Sequence, residues 1–387
     1  MFKVVIGHTE DPDSQDAVSE IIEQCEKNLK GEKPKAGILL ASTLYDTKLV
    51  LKEVEKHFPG IELIGCTTCA EISSVKGYME GSLVLVLFCS DTIEMKATVV
   101  RDLSKKDIKS SVKQALDAVL PTFKKKPTFS ITTPDVLSFD SMSLIKEIQN
   151  ILGENFPILG GGSSDPWKFT EICQFYQTEV LHDAAPILFF SEPLIFASGV
   201  ASGWTPFTSL HKLEEVEKNV ALTISNKKAL QFYVDYLGGS PTLIHPLAIY
   251  EKDDENFYLR APLASLEDKG AIVFTGELHR NSNVRISKAD HNSIIEAAIK
   301  AYLQAMNKYP NQEFACAFMT SCACRRQILG SKTRQEYETI KEKILQSLPL
   351  FGFYSLGQFG PYTDIQKCVW HIETIVFTLI GEKNAAG

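Results

Sequence analysis

Three times along the chain an apolar run gives way to a one-faced helical pattern and then to a second apolar run that carries a glycine. In the first copy, Ala36-Gly37-Ile38-Leu39-Leu40-Ala41 reads as a strand ending in Ser42 and Thr43. Asp46 is placed to cap a helix with Val50, Val54 and Phe58 on one face, and Pro59-Gly60 stops it. Ile61 to Thr68 is the second strand. Residues 82–88 and 93–101 then read as a hairpin turning at Ser90-Asp91. A short strand at Phe2 to Ile6 and a helix with Ala17, Ile21, Ile22 and Cys25 on one side precede this copy.

The same order returns from Pro127. Thr128 to Thr133 is the strand, Asp140 the cap, and Leu144, Ile148, Ile151 and Leu152 the helix stripe. Pro157-Ile158-Leu159-Gly160-Gly161-Gly162 is the second strand, and residues 186–190 and 196–200 match the hairpin. The third copy closes the chain. Its first strand runs from Glu313 to Cys322, and its helix opens on a capping-box pattern, Thr333-x-x-Glu336. That helix carries Tyr337, Ile340, Ile344 and Leu348; Pro349 to Gly352 begins the second strand, and Ile375 to Ile380 is the last.

Between copies two and three the pattern changes. A short helix with Ala229, Leu230 and Tyr233 ends at Gly238-Gly239, strands follow at 257–260 and 271–274, and a long helix starts after Asp290. Charge is dense and apolar periodicity weak over 205–228. The chain therefore reads as α/β: two domains of mixed β-sheet with flanking helices, built from related strand–helix–strand–hairpin units. The division falls at 1–215 and 216–387, and only the tail 381–387 looks loose.

A net charge of −8 argues against a general nucleic-acid binder. No apolar run is long enough for a membrane span and the N-terminus lacks a signal pattern, so the chain reads as cytoplasmic. Nine scattered cysteines fit a reducing compartment. Two close pairs stand out, Cys66-x-x-Cys69 and Cys322-x-Cys324. The first has zinc spacing, but no second pair or histidine cluster accompanies it, and no metal is expected.

Arg325, Gln358 and His371 fall at strand ends or loops of the third copy, where binding groups sit on a rigid scaffold. Arg325 is suited to a ligand carboxylate or to an ion pair. His371 is suited to a ligand or to a hydrogen-bonded core, and Gln358 to a ligand or a turn. Gly160-Gly161-Gly162 reads as close backbone packing, since the lysine of a phosphate loop is missing. Glu71 and Asp165 end equivalent strands without a serine or histidine partner in any fixed pattern, and no catalytic constellation is found.

Taken together, these short motifs resemble the FIST family. The resemblance rests on Gly65-Cys66-Thr67-Thr68-Cys69-Ala70-Glu71-Ile72, on 157–165 and on Gly203-Trp204 in the first part. In the second it rests on Ser321-Cys322-x-x-Arg325, Gly352-Phe353-Tyr354-x-x-Gly357 and His371-x-x-Thr374. It implies an N-like domain over 1–215, a C-like domain over 216–387, and small-ligand sensing. Its motifs add Ser321, Gly357, Thr374 and Trp204 to Arg325, Gln358 and His371 as candidate ligand-binding residues. Where the family usually has Gly-Glu, this chain has Gly357-Gln358; where it usually has His-Asn-x-Thr, Ile372 replaces the asparagine.

One branch of the family resembles haem-binding nitric-oxide sensors that act with histidine kinases. That implies haem as a cofactor, with His371 the candidate ligand beside His245 and His279, and a histidine kinase or cyclase as partner. The alternative class is an enzyme, a hydrolase with Cys66, Cys69 or Cys322 as nucleophile.

Overall fold

The computed structural model describes residues 2–250, 256–309, 312–344, 347–361 and 367–383. The three copies are present as three units around one core. Each contributes a parallel strand pair: Ala36–Ala41 with Glu62–Thr67, Pro127–Thr132 with Ile158–Gly161, and Cys316–Cys322 with Leu350–Ser355. In each pair the second strand carries a glycine pressed onto its partner's backbone. A Cβ on Gly65, Gly160 or Gly352 would lie within about 2 Å of the carbonyl oxygens of Leu39, Thr132 and Met319. No larger residue fits there without moving the strand, which is why the glycine recurs in all three copies.

Helices cover the outer face of each sheet, and their caps follow the sequence. Asp46 accepts from Leu49 N–H, and Asp140 from the N–H groups of Met142 and Ser143. Ala17, Ile21, Ile22 and Cys25 form the buried stripe of Ser14–Leu29. The Thr333–Glu336 capping box does not form. Thr333 donates instead to the Gly330 carbonyl, and Glu336 turns inward to Arg325.

The expected hairpins are also replaced. Leu83–Cys89 pairs with Lys3–Thr9 and Ala36–Ala41, whereas Met95–Arg101 pairs with Ala184–Ser191 in another sheet. Likewise Leu194–Ala201 leaves Ala184–Ser191 and pairs with Ile375–Glu382. At each of these turns the chain crosses from one sheet to the next. Both flanking strands are apolar, so their sequences suit a shared core as well as a hairpin.

True hairpins lie elsewhere and are exchanged in a ring. Glu71–Ser73 with Gly77–Met79, from unit 1, extends the sheet of unit 3 through Leu350–Ser355. Gln174–Tyr176 with Glu179–Leu181, from unit 2, extends the sheet of unit 1 through Glu62–Thr67. Gln358–Pro361 with Cys368–His371, from unit 3, extends the sheet of unit 2 through Ile158–Gly161. The inner faces meet in one cluster where Phe88 packs edge-on against Phe190 and Phe351, one aromatic from each sheet.

A nine-stranded assembly interrupts unit 3 between Leu194–Ala201 and the helix His291–Lys308. Its strands run from Thr205–Pro206 to Ser282–Lys288, with a core of its own around Phe232, Tyr233 and Phe274. The division expected at residue 215 falls inside one of its strands, His211–Glu217. Of the tail expected to be loose, Gly381 and Glu382 belong to the last strand and Lys383 donates to the Pro193 carbonyl; 384–387 lie outside the described residues.

Candidate functional site

The seven sequence-predicted residues divide among separate surroundings. Arg325 is fully buried. Its Nε donates to Glu336 Oε1 at 2.9 Å and to Ser321 Oγ at 3.2 Å, and its terminal nitrogens donate to Glu336 and to the carbonyls of Ile294 and Ser202. Ser321 Oγ (2.8 Å) and the Tyr354 hydroxyl (2.5 Å) donate to Glu336 Oε2. Arg325 and Ser321 thus form an internal network whose acceptors are all protein groups. Trp204 lies apart, packed on Ile294 and Leu329, with its indole N–H on the Ile244 carbonyl at 3.2 Å.

Gln358 is buried in the turn wiring. Its amide oxygen accepts from Cys322 N–H (3.1 Å) and Ser355 Oγ (3.0 Å), and its nitrogen donates to Thr374 Oγ1 (2.8 Å) and the Thr374 carbonyl (3.1 Å). A carboxylate here would lack the two donor hydrogens that Thr374 receives, so the amide suits the position. Gln358 therefore ties Cys322 to the turn after His371.

Strand alternation splits the remaining candidates. Trp370 and Ile372 face one cavity and His371 the other. The His371 cavity, about 340 Å³, is polar, with Thr374, Lys300, Gln304 and Lys308 in its wall. His371 Nε2 lies 3.0 Å from the Pro361 carbonyl, and burial holds its pKa down at about 4, so it is neutral.

The larger cavity, about 410 Å³, lies where three parts of the chain meet. Unit 2 gives Val136, Phe139, Ser141, Trp167 and Phe169; unit 3 gives Cys322, Cys324, Leu356, Gly357, Trp370 and Ile372; the insert gives Leu243, Leu263, Phe274, Thr275 and Gly276. The wall is mostly apolar, while Lys218, Glu277 and Asp140 bring charge to it. Among the described residues, the buried Ser141 Oγ and Trp370 Nε1 beside it have no protein partner, and the Glu373 carboxylate has none beyond the Cys324 thiol. Such atoms are costly in a folded interior unless a water, ligand or ion completes the bonding.

Cys322 and Cys324 form the polar floor. The Cys322 thiol sits below the usual thiol range because the Cys324 thiol hydrogen-bonds to it, and because the N–H groups of Cys324, Glu373 and Gly357 converge on the sulfur. The same contact with Cys322, with burial, pushes Cys324 up. Burial and the Cys322 charge push the Glu373 carboxyl up, and the residue is held in the left-handed region at φ 61°. Cys66 and Cys69 differ: both are buried, and desolvation drives their thiols upward, Cys69 to about 11. They are poor nucleophiles.

Histidine-ligated haem does not fit these residues. His371 spends Nε2 on Pro361 in the polar cavity, His245 has Nδ1 3.1 Å from Thr242 Oγ1, His279 is exposed, and no histidine is among the described residues lining the apolar cavity. Of the site now seen, the sequence pointed to Cys322, Cys324 and Gly357. It did not single out Glu373, Trp370 or Ser141, nor the wall supplied by the insert, where no motif stands out.

Residues 35–227 match the FIST N domain and residues 229–361 the FIST C domain. No curated protein matches the chain. Among solved structures, a chorismatase is similar at a TM-score of 0.39 and 6% identity, over 98% of each chain. A cyanuric acid hydrolase from A. caulinodans is similar at 0.36 and 8% identity, over 99% of this chain and 100% of that one. Neither likeness is strong enough to bear on the chemistry.

Proposed function

Given that the chain belongs to the FIST family, with its N and C domains in tandem, we propose that it is a small-ligand sensor whose ligand enters the cavity between units 2 and 3 and the insert. FIST domains bind small ligands in signalling. One observation carries the choice of cavity: the unpartnered Ser141 Oγ and Trp370 Nε1 both sit in its wall. The aromatic and aliphatic lining suits a compact, largely apolar molecule, and Lys218, Asp140 and Glu277 suit a zwitterionic head group. An amino acid with an aromatic or branched side chain has both parts.

Because the insert supplies one wall, a ligand that prefers one placement of the insert shifts the population toward it. A separate signalling protein in the cytoplasm, a histidine kinase or cyclase, would read that placement. No helix among the described residues is long and apolar enough to cross a membrane.

The test is thermal stabilisation across a panel of amino acids and aromatic carboxylates. A ligand at a hundred times its dissociation constant stabilises by about 2.7 kcal/mol. Saturable stabilisation that is lost in Trp370→Ala and accompanied by no turnover supports the sensor. Stabilisation unchanged in that variant removes the ligand from this cavity. A second reading, a cysteine-dependent enzyme, draws on the three N–H groups around Cys322, and turnover lost in Cys322→Ser would establish it.

A further inference from the structure

We propose that Cys322, Cys324 and Glu373 bind a zinc ion at the floor of the apolar cavity, with the fourth coordination position open to it. The two sulfurs and a carboxylate oxygen all lie within 4.8 Å of one another, and all three side chains are buried. Ligand atoms around one tetrahedral zinc stand roughly 3.6 Å apart, so a small contraction closes the set. Two thiolates and one carboxylate form a soft-to-borderline donor set that favours zinc over magnesium or calcium.

Three features support the assignment independently of spacing. Glu373 is fully buried, and apart from the contact with the Cys324 thiol its carboxylate oxygens have no partner among the described residues. A carboxyl buried in this way is kept ionised only where a cation meets it, and is otherwise driven to its protonated form. Second, the Cys322 N–H donates to the Thr374 carbonyl at 2.9 Å, which holds the strand end that carries Cys322 and Cys324 against the turn that carries Glu373. Third, Gln358 binds Cys322 N–H on one side and Thr374 on the other, so the two chain segments that carry the ligands are fastened together before any ion arrives.

Cys322 and Cys324 both face the cavity. The three protein ligands leave one position of the tetrahedron, and the cavity is where it opens. Water fills it at rest; a small molecule carrying a thiolate, imidazole or carboxylate displaces the water. This last step rests on the proposed ligand cavity, whereas the metal site does not.

Cobalt(II) titration of metal-free, reduced full-length protein, without organic ligand, tests the site. One equivalent is expected to give thiolate-to-cobalt charge transfer in the near ultraviolet and the visible bands of a tetrahedral ion, both abolished by excess zinc. Cys322→Ser and Cys324→Ser are each expected to lose roughly half the charge-transfer intensity and the double variant all of it. Glu373→Gln is expected to weaken binding by about tenfold or more. Absence of charge transfer in the wild type overturns the proposal, as does an undiminished band in the double variant or wild-type affinity in Glu373→Gln.

Should the double variant fail to fold, zinc protection of the wild type against iodoacetamide decides the matter. Cys322 and Cys324 must be shielded, and equal labelling with and without zinc overturns the site. The cavity reading is judged separately, by thermal stabilisation of the zinc-free protein.

Discussion

Arg325 and Glu336 form an ion pair in which neither side chain has any solvent exposure. For the arginine the pair is one of the two roles its sequence setting left open, a ligand carboxylate or an ion pair; for the glutamate it replaces the helix cap. Its further partners, Ser321, Tyr354 and the carbonyls of Ile294 and Ser202, tie the last parallel strand pair to the helix His291–Lys308 and to the strand of unit 3 that precedes the insert.

Breaking a buried pair leaves an uncompensated charge, so Arg325→Ala is expected to cost about 3–5 kcal/mol in urea unfolding. At temperatures where the variant stays folded, its affinity for a cavity ligand is expected to be unchanged. A loss below about 1 kcal/mol with weakened binding would return Arg325 to the binding site.

Gly357 has φ +77°, and a Cβ there would sit 2.3 Å from Trp370 Nε1. Gly357→Ala is expected to destabilise by about 1–3 kcal/mol and to push the indole from its place in the cavity wall. Calorimetry reads the first effect, and ligand-induced stabilisation, expected to vanish, reads the second.

Trp167 and Trp370 line the cavity, whereas Trp204 does not. Ligand entry is therefore expected to alter tryptophan emission. Trp204→Phe should keep that response and Trp370→Phe should lose most of it. A response that disappears only in Trp204→Phe would place the ligand elsewhere.

Burial pushes the Glu71 carboxyl up to about 7 against the hydrogen bonds from Ser82 and Thr68. The folded state thus favours the protonated acid. Its contribution to stability is fully present below the unfolded value of 4.5 and is lost as pH rises through about 7. The loss amounts to about 3 kcal/mol. His8 and His371, held down at about 3 and 4, act in the opposite sense and lose stability as pH falls below 6.5. The difference between wild type and Glu71→Gln isolates the glutamate: it is expected to fall from pH 4.5 to 7, and a flat difference in denaturant titrations would contradict the assignment.

The repeating units were legible because their parallel pairs need the same things each time: apolar residues on both faces and a glycine against the neighbouring carbonyl. Gly65, Gly160 and Gly352 carry that signal in the sequence. The hairpins were misread at 82–101 and 186–200 because apolar alternation records burial and not the identity of the partner strand, and here the partner lies in another sheet. Thr333 and Glu336 have cap spacing, but the buried Arg325 guanidinium takes the carboxylate, while the Thr333 N–H is bonded to the Gly330 carbonyl. At the site, Cys322 and Gly357 announce themselves through composition. Glu373 becomes visible only when the turn after His371 places it against two thiols, and the third wall comes from an insert whose own sequence serves its separate core.

The ring of exchanged hairpins sets an order on synthesis. The first sheet has all its strands once residue 181 has left the ribosome. The second keeps Ile158–Gly161 as an open edge until Gln358–Pro361 emerges, about half the chain later. A nascent N-terminal half is thus an unfinished object with an adhesive border, and a stop codon placed between the halves should yield aggregate in place of a smaller sensor.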